Sequence, residues 1–132
     1  MNDIDTQLFQ AAKDAFSRAY APYSSFQVGA ALLGSDGKIY SGCNVEKASY
    51  GLSRCAEQTA IQKMVSEGTR AFTRAFVYTL ASPPSSPCGA CRQIMFEFGK
   101  HAEIVMVNDK FETRAFTVSE LLPAGFGPHD LE

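Results

Sequence analysis

The sequence predicts an α/β fold: a single mixed five-stranded sheet with helices packed on it, its last two strands antiparallel. Three observations carry this. Hydrophobic periodicity switches between helical and strand spacing in the order α-β-β-α-β-α-β-β-α. The link Asn108-Asp109-Lys110-Phe111 is too short for a parallel crossover, which needs about a dozen residues or more. At 132 residues, with no internal repeat and no dividing linker, the chain reads as one domain over 1–132.

In the first helix, residues 6–20, Leu8, Ala11, Ala12, Ala15, Phe16 and Ala19 share one face. Asp5 or Thr6 can cap its start, and Ala21-Pro22-Tyr23-Ser24 ends it. Residues 26–33 and 38–44 flank Gly34-Ser35-Asp36-Gly37, whose glycines supply positive-φ positions for a hairpin turn. Alternation in the second strand puts Tyr40, Gly42 and Asn44 on one face and Ile39, Ser41 and Cys43 on the other. A second helix over 53–67 has Ala56, Ala60, Ile61, Met64 and Val65 as its apolar stripe and Gly68 as its stop. The strand over 74–80 is apolar enough for burial on both faces, and residues 82–87, with three prolines, are loop. A third helix over 88–98, closed by Gly99, is apolar around much of its circumference (Ile94, Met95, Phe96, Phe98), which suits cover by a second subunit. Strands over 103–107 and 112–117 precede a short helix that Thr117-Val118-Ser119-Glu120 opens as a capping box and Pro123 ends.

Bulk composition narrows the function classes. The chain is 45% hydrophobic and 20% charged, with net charge −2 and a pI near 5.7, so it lacks the basic footprint of a nucleic-acid-polymer binder. Met1-Asn2-Asp3-Ile4-Asp5 does not open like an export signal, and no apolar run has the length of a membrane span. Four cysteines without an export signal point to a reducing, cytoplasmic setting in which thiols bind metal or do chemistry.

Cys88 and Cys91 stand three apart in the first turn of a helix, so both sulfurs can lie on one side. Cys55 occupies the opening turn of the preceding helix, and helix N-termini favour the thiolate. If strand order brings these two helix starts together, three soft ligands converge and one coordination position stays open. Three thiolates outweigh the charge of Zn²⁺, so positive partners are needed: the helix dipoles, with Arg54 and Arg92 as candidates for the rest. Glu57, two residues past Cys55, can hold a carboxylate over the open position as a proton carrier. The residues alone leave two other readings open: a redox Cys-x-x-Cys pair, and a closed structural site with Cys43 as fourth ligand. Asn44 and Glu46, two apart past a strand end, can both face a sugar hydroxyl or can cap a turn. His101 and His129 lack ligand spacing to the cysteines.

Cys55-Ala56-Glu57 with Pro87-Cys88-Gly89-Ala90-Cys91-Arg92-Gln93 resembles the zinc nucleoside and nucleotide deaminase signature, Cys or His, x, Glu, then Pro-Cys-x-x-Cys. Five further stretches extend the likeness: Ala21-Pro22-Tyr23-Ser24, Phe26-Gln27-Val28-Gly29-Ala30-Ala31, Gly42-Cys43-Asn44-Val45-Glu46, Ala48-Ser49-Tyr50-Gly51-Leu52 and Leu121-Leu122-Pro123. Over nearly its whole length the chain is similar to the small homotetrameric cytidine deaminases. That resemblance implies a three-layer fold with helices on both sheet faces. It also implies zinc-dependent hydrolysis of cytidine and 2′-deoxycytidine to uridine or deoxyuridine and ammonia, a pyrimidine salvage step on a small nucleoside. Residue by residue, it implies Zn²⁺ on Cys55, Cys88 and Cys91, with Glu57 as proton shuttle. It further implies Asn44 and Glu46 at the ribose 3′-hydroxyl, Phe26 against the pyrimidine, and backbone at Ala56 and Ser86-Pro87 on the polar edge of the base. Tyr50 and Phe126 would reach a neighbouring subunit's site. Two positions depart from the family: Gln58 stands where arginine is frequent, and Lys47 where asparagine is usual. Other readings are a deaminase of a modified or antibiotic aminopyrimidine nucleoside, and a non-catalytic zinc module.

Overall fold

In the computed structural model, which describes Met1–Glu132, strands β1 (Gly29–Gly34), β2 (Ile39–Cys43), β3 (Phe72–Tyr78), β4 (Glu103–Val107) and β5 (Thr113–Thr117) form one sheet. Their order is β2-β1-β3-β4-β5. Only β3 and β4 run parallel, because helix α3 (Gly89–Gly99) crosses between them; the other three pairs, β4 with β5 included, are antiparallel. The expected mixed five-stranded sheet is thus observed.

Alternation along the strands divides the core between the two faces. Ala31, Phe76, Val105 and Val107 pack against Leu8, Phe9 and Ala12 of helix α1 (Asp3–Phe16). Ala30, Val77, Ile104 and Met106 pack on the other side against Ile61 and Met64 of helix α2 (Ala56–Ser66) and Met95 and Phe96 of α3. Val118 and Leu121 of the short helix α4 (Val118–Leu121) join that second cluster. β3 is buried on both faces over Ala75–Tyr78, as a central strand should be.

Element ends differ from expectation for local reasons. The Asn2 side chain, not Asp5 or Thr6, caps α1, accepting from the Asp5 N–H at 2.8 Å. That helix ends at Phe16 because Tyr20 is drawn into backbone bonding with Asn44 (3.0 Å) and Glu46 (2.9 Å). Likewise α2 starts at Ala56 because Arg54 pairs with Val45 in both directions, at 2.9 and 3.0 Å. Gly37 has the positive φ of the hairpin turn, but Gly34 does not. Gly68, at φ 103°, ends α2 as expected. Gly99 is not a left-handed stop. It is the last residue of α3, where a Cβ would lie 2.4 Å from the Phe72 ring. Ile94 and Phe98 lean on the chain's own core, so part of the apolar circumference of α3 is covered without a second subunit. No helix is long and apolar enough to cross a membrane.

Candidate active site

The N-termini of α2 and α3 meet beside the carboxyl end of β3, a usual place for a ligand crevice in such sheets. Both helices begin on a cysteine. Cys55 and Cys88 are the N-caps, each with extended backbone (φ −76°, ψ 161° and φ −68°, ψ 169°). The Cys88 sulfur accepts from the Cys91 N–H at 3.4 Å, and Gln58 Oε1 accepts from the Cys55 N–H at 3.2 Å.

This arrangement gathers three thiols. Cys55 Sγ lies 3.8 Å from Cys88 Sγ, which lies 3.3 Å from Cys91 Sγ, and all three sulfurs fall within 4.8 Å of one another. Sulfurs about 2.3 Å from a tetrahedral zinc stand about 3.8 Å apart, so the donor set fits that metal in both chemistry and spacing. Cys43 is not part of the cluster, which removes the closed four-cysteine reading.

The electrostatics favour charge on the half-buried Cys55 and a proton on the buried Cys91 and Glu57. Hydrogen bonding from Cys91 and then Cys88, with Arg54's charge adding to it, brings the Cys55 thiol down to about 6 against the opposing effect of burial. Cys91 moves up, since it donates to Cys55 and is itself buried. Burial pushes the Glu57 carboxyl up to about 7, with the Cys55 charge pushing the same way. Neither arginine bonds a sulfur. Arg54 donates to the Gly51 and Ser53 carbonyls, whereas Arg92 donates to Pro87 O and Leu121 O, both at 2.9 Å, and to Ser86 Oγ at 3.2 Å. Arg92 therefore braces the loop before Cys88 against α4.

The three cysteines, Glu57, Ala56, Phe26, Asn44, Glu46, Ser86 and Pro87 line one cavity of about 280 Å³, small for a ligand site. The remaining two predicted site residues do not reach it. Tyr50 is 73% exposed and packs edge-on to Tyr23 beside the cavity, and Phe126 is 57% exposed, its carbonyl bonded by Gln93. Asn44 does more than sequence spacing suggests: its Oδ1 accepts from Val28 N–H at 2.9 Å and its Nδ2 donates to Phe26 O at 2.8 Å. The Glu46 carboxyl is held below its ordinary range, chiefly by the Ser24 hydroxyl and then by the Ser24 N–H. Ser24, Val28, Val77, Thr79 and Ser85 also line the cavity and were not foreseen. Ser24 and Val28 had a signal, their places in Ala21-Pro22-Tyr23-Ser24 and Phe26-Gln27-Val28-Gly29-Ala30-Ala31.

A sequence profile of the family described as the cytidine and deoxycytidylate deaminase zinc-binding region matches residues 2–108. The chain belongs to this family. Family relatives agree over almost the whole length. A cytidine deaminase of Sporosarcina psychrophila is 45% identical over 126 residues, covering 95% of this chain and 93% of its own. A probable cytidine deaminase of Dictyostelium discoideum is 47% identical over 122 residues, covering 92% and 82%. Among solved structures, the cytidine deaminase of Burkholderia pseudomallei superposes with a TM-score of 0.89 at 46% identity, over 96% of this chain and 100% of that one. The corresponding enzyme of Mycobacterium tuberculosis gives 0.80 at 35% identity, over 96% and 99%. The deaminase fold is therefore shown by sequence and by shape.

Proposed function

We propose that the chain is a zinc-dependent deaminase of free cytidine and 2′-deoxycytidine, converting nucleoside and water to uridine or deoxyuridine and ammonia in cytoplasmic pyrimidine salvage. The observation that carries this reading is a buried, protonatable Glu57 in the same small cavity as a three-thiol cluster. Relatives bearing the name cytidine deaminase across the full chain length support the substrate class. Cys55, Cys88 and Cys91 would hold Zn²⁺, which supplies Lewis acidity at the reacting centre when bound.

The chain's own side chains account for the remaining requirements. Glu57 takes a proton from the attacking water and delivers it to N3 of the base as the C4–O bond forms. It then takes the remaining hydroxyl proton and delivers it to the amine, the C4–N bond breaks, and ammonia leaves as the carbonyl forms, so the reaction is proton-neutral overall. Its buried setting suits this role, because a carboxyl raised to about 7 can both accept and give at neutral pH. Phe26 walls the pyrimidine, while backbone at Ala56 and in Ser86-Pro87 meets its polar edge. Asn44 and Glu46, which line the same cavity, receive the 3′-hydroxyl. A cavity of about 280 Å³ and a net charge of −2 favour a free nucleoside over a polynucleotide. In a homotetramer, the exposed Tyr50 and Phe126 would serve a neighbouring copy's cavity.

The test is ultraviolet monitoring of zinc-loaded protein with cytidine, deoxycytidine and N4-substituted analogues. Loss of the cytosine absorbance is expected with the first two, and Glu57→Ala should keep its zinc while losing on the order of 10²–10⁴ in rate. No absorbance change from a zinc-replete sample would overturn the activity, and a wild-type rate in Glu57→Ala would overturn the shuttle.

A further inference from the structure

The cavity wall formed by Phe26 belongs to a segment with little apolar packing. Residues 22–26 are exposed, and Ser25 holds a φ of 59°, a left-handed conformation that a serine adopts only at some cost. Polar bonds hold the segment. Glu46 Oε1 accepts from the backbone N–H groups of Tyr23 (3.0 Å) and Ser24 (3.1 Å), and Glu46 Oε2 accepts from the Ser24 hydroxyl. The same hydroxyl accepts from the Phe26 N–H at 3.0 Å. Asn44 fixes the segment's exit through Phe26 O and Val28 N–H.

From this bonding pattern we propose that Ser24 is a positioning residue for substrate. Its hydroxyl joins the Glu46 carboxylate to the Phe26 N–H, and so sets the Phe26 wall and the Glu46 carboxylate before a nucleoside enters. An ionised carboxylate offers about four acceptor sites. Three on Glu46 are engaged by residues 23 and 24, which leaves one for a ligand hydroxyl and fixes its direction. Without the Ser24 hydroxyl, Oε2 is released and the Phe26 N–H loses its partner. A strained, exposed segment must then be ordered during binding, and ordering at that moment weakens affinity. Glu57 and the cysteines sit on other elements, so the chemical step is unaffected and the loss falls on KM.

The choice of nucleoside in the test rests on the deaminase reading, whereas the Ser24 strap belongs to the free chain. The experiment compares Ser24→Ala and Ser24→Thr with wild type in the full, zinc-loaded protein. It reads hydrogen exchange in peptides spanning residues 21–28, uridine binding by calorimetry, and cytidine kinetics. Ser24→Ala should speed exchange of this segment, weaken uridine binding about tenfold and raise KM about tenfold, as expected for losing a hydrogen bond to a charged group. Its kcat should stay within about twofold, and Ser24→Thr should restore both affinity and exchange. Wild-type exchange in Ser24→Ala, faster exchange with unchanged uridine affinity, a kcat that falls as far as kcat/KM, or a Thr variant as impaired as Ala would each overturn the proposal. A wild-type chain inert towards cytidine would sink the deaminase reading, while hydrogen exchange, which needs no nucleoside, would still decide whether Ser24 holds the segment.

Discussion

Gly42 is where the sheet dictates the metal geometry. A Cβ at this position of β2 would stand 2.6 Å from Ala60 N, 2.9 Å from Thr59 Cβ and 3.0 Å from Ala56 O. Two of these atoms are backbone, so no rotamer change relieves the contact, and α2 itself must retreat. The shortest approach falls about 0.8 Å inside the 3.4 Å at which ordinary contact begins, and Gly42→Ala should lift the helix by about that much. α2 carries Cys55 and Glu57 at its start, whereas Cys88 and Cys91 belong to α3. The substitution therefore disturbs the 3.8 Å Cys55–Cys88 separation and leaves the 3.3 Å Cys88–Cys91 separation alone. Metal–ligand distances tolerate only about 0.2 Å, so the first ligand would move several times further than the site absorbs. We expect an overpacking cost of about 1–3 kcal/mol in denaturant unfolding of chelator-treated protein. Zinc affinity, read by competition with a chromophoric chelator, should fall at least about tenfold, as it does when the support of a ligand is lost. Wild-type values for both would refute the reasoning. Lost stability with unchanged zinc affinity would show that α2 pivots about its first turn instead of translating.

Four further predictions follow from other parts of the site and its frame. Chelation should expose three additional thiols to a colorimetric reagent, those of Cys55, Cys88 and Cys91, and should lower Tm, because the metal binds only the folded chain. Arg92→Met removes the bonds to Pro87 O, Leu121 O and Ser86 Oγ; it should cost about 1–3 kcal/mol and make residues 82–87 the first site of limited proteolysis. The Glu120 carboxyl lies below its ordinary 4.5, chiefly through the Thr117 N–H, so its contribution is whole above that pH and is lost as pH falls through the lower folded value. The Tm gap between wild type and Glu120→Gln should accordingly be widest above about pH 5 and close on acidification. Gln58→Leu, which leaves the Cys55 N–H without its partner, should cost about 1 kcal/mol and weaken zinc binding, whereas Gln58→Glu restores the acceptor but adds a buried negative charge beside the thiolates, and should weaken zinc binding as well.

What was legible in the sequence was what is periodic or local. The stripe of α2, the capping box at Thr117 and Glu120, and the antiparallel closure of β4 on β5 each depend on residues within a few positions of one another. Non-local pairing was hidden. Tyr20, Val45 and Arg54 bond across the chain through isolated bridges that carry no periodicity, and these bridges trim two helices that looked longer. The meeting of the two cysteine-bearing helix starts could be stated only as a condition, because it follows from β3 lying next to both β1 and β4. Charge compensation was hidden for a similar reason. Arg54 and Arg92 are both next to a cysteine in sequence, yet only the first acts on a thiol through its charge, while the second holds loop and α4 together.

The cysteine spacing itself has a simpler origin than metal binding. An N-cap side chain faces the N–H three residues on, and a polar side chain at that third position can reach back to the N-cap N–H. Cys88 and Cys91 occupy this pair of positions in α3, and Cys55 and Gln58 occupy it in α2. In α3 the third position supplies a further sulfur, so the capping contact from Cys91 N–H to Cys88 Sγ and the 3.3 Å sulfur pair arise from one piece of backbone geometry. In α2 the third position supplies Gln58, buried, whose oxygen satisfies the Cys55 N–H. Gln58 looks in sequence like a missing positive charge. In the fold it keeps the N-cap backbone in place, while the positive charge near Cys55 comes from Arg54. An arginine at position 58 could not accept from that N–H, so charge and cap are alternatives at this site, and this chain has divided them between two residues.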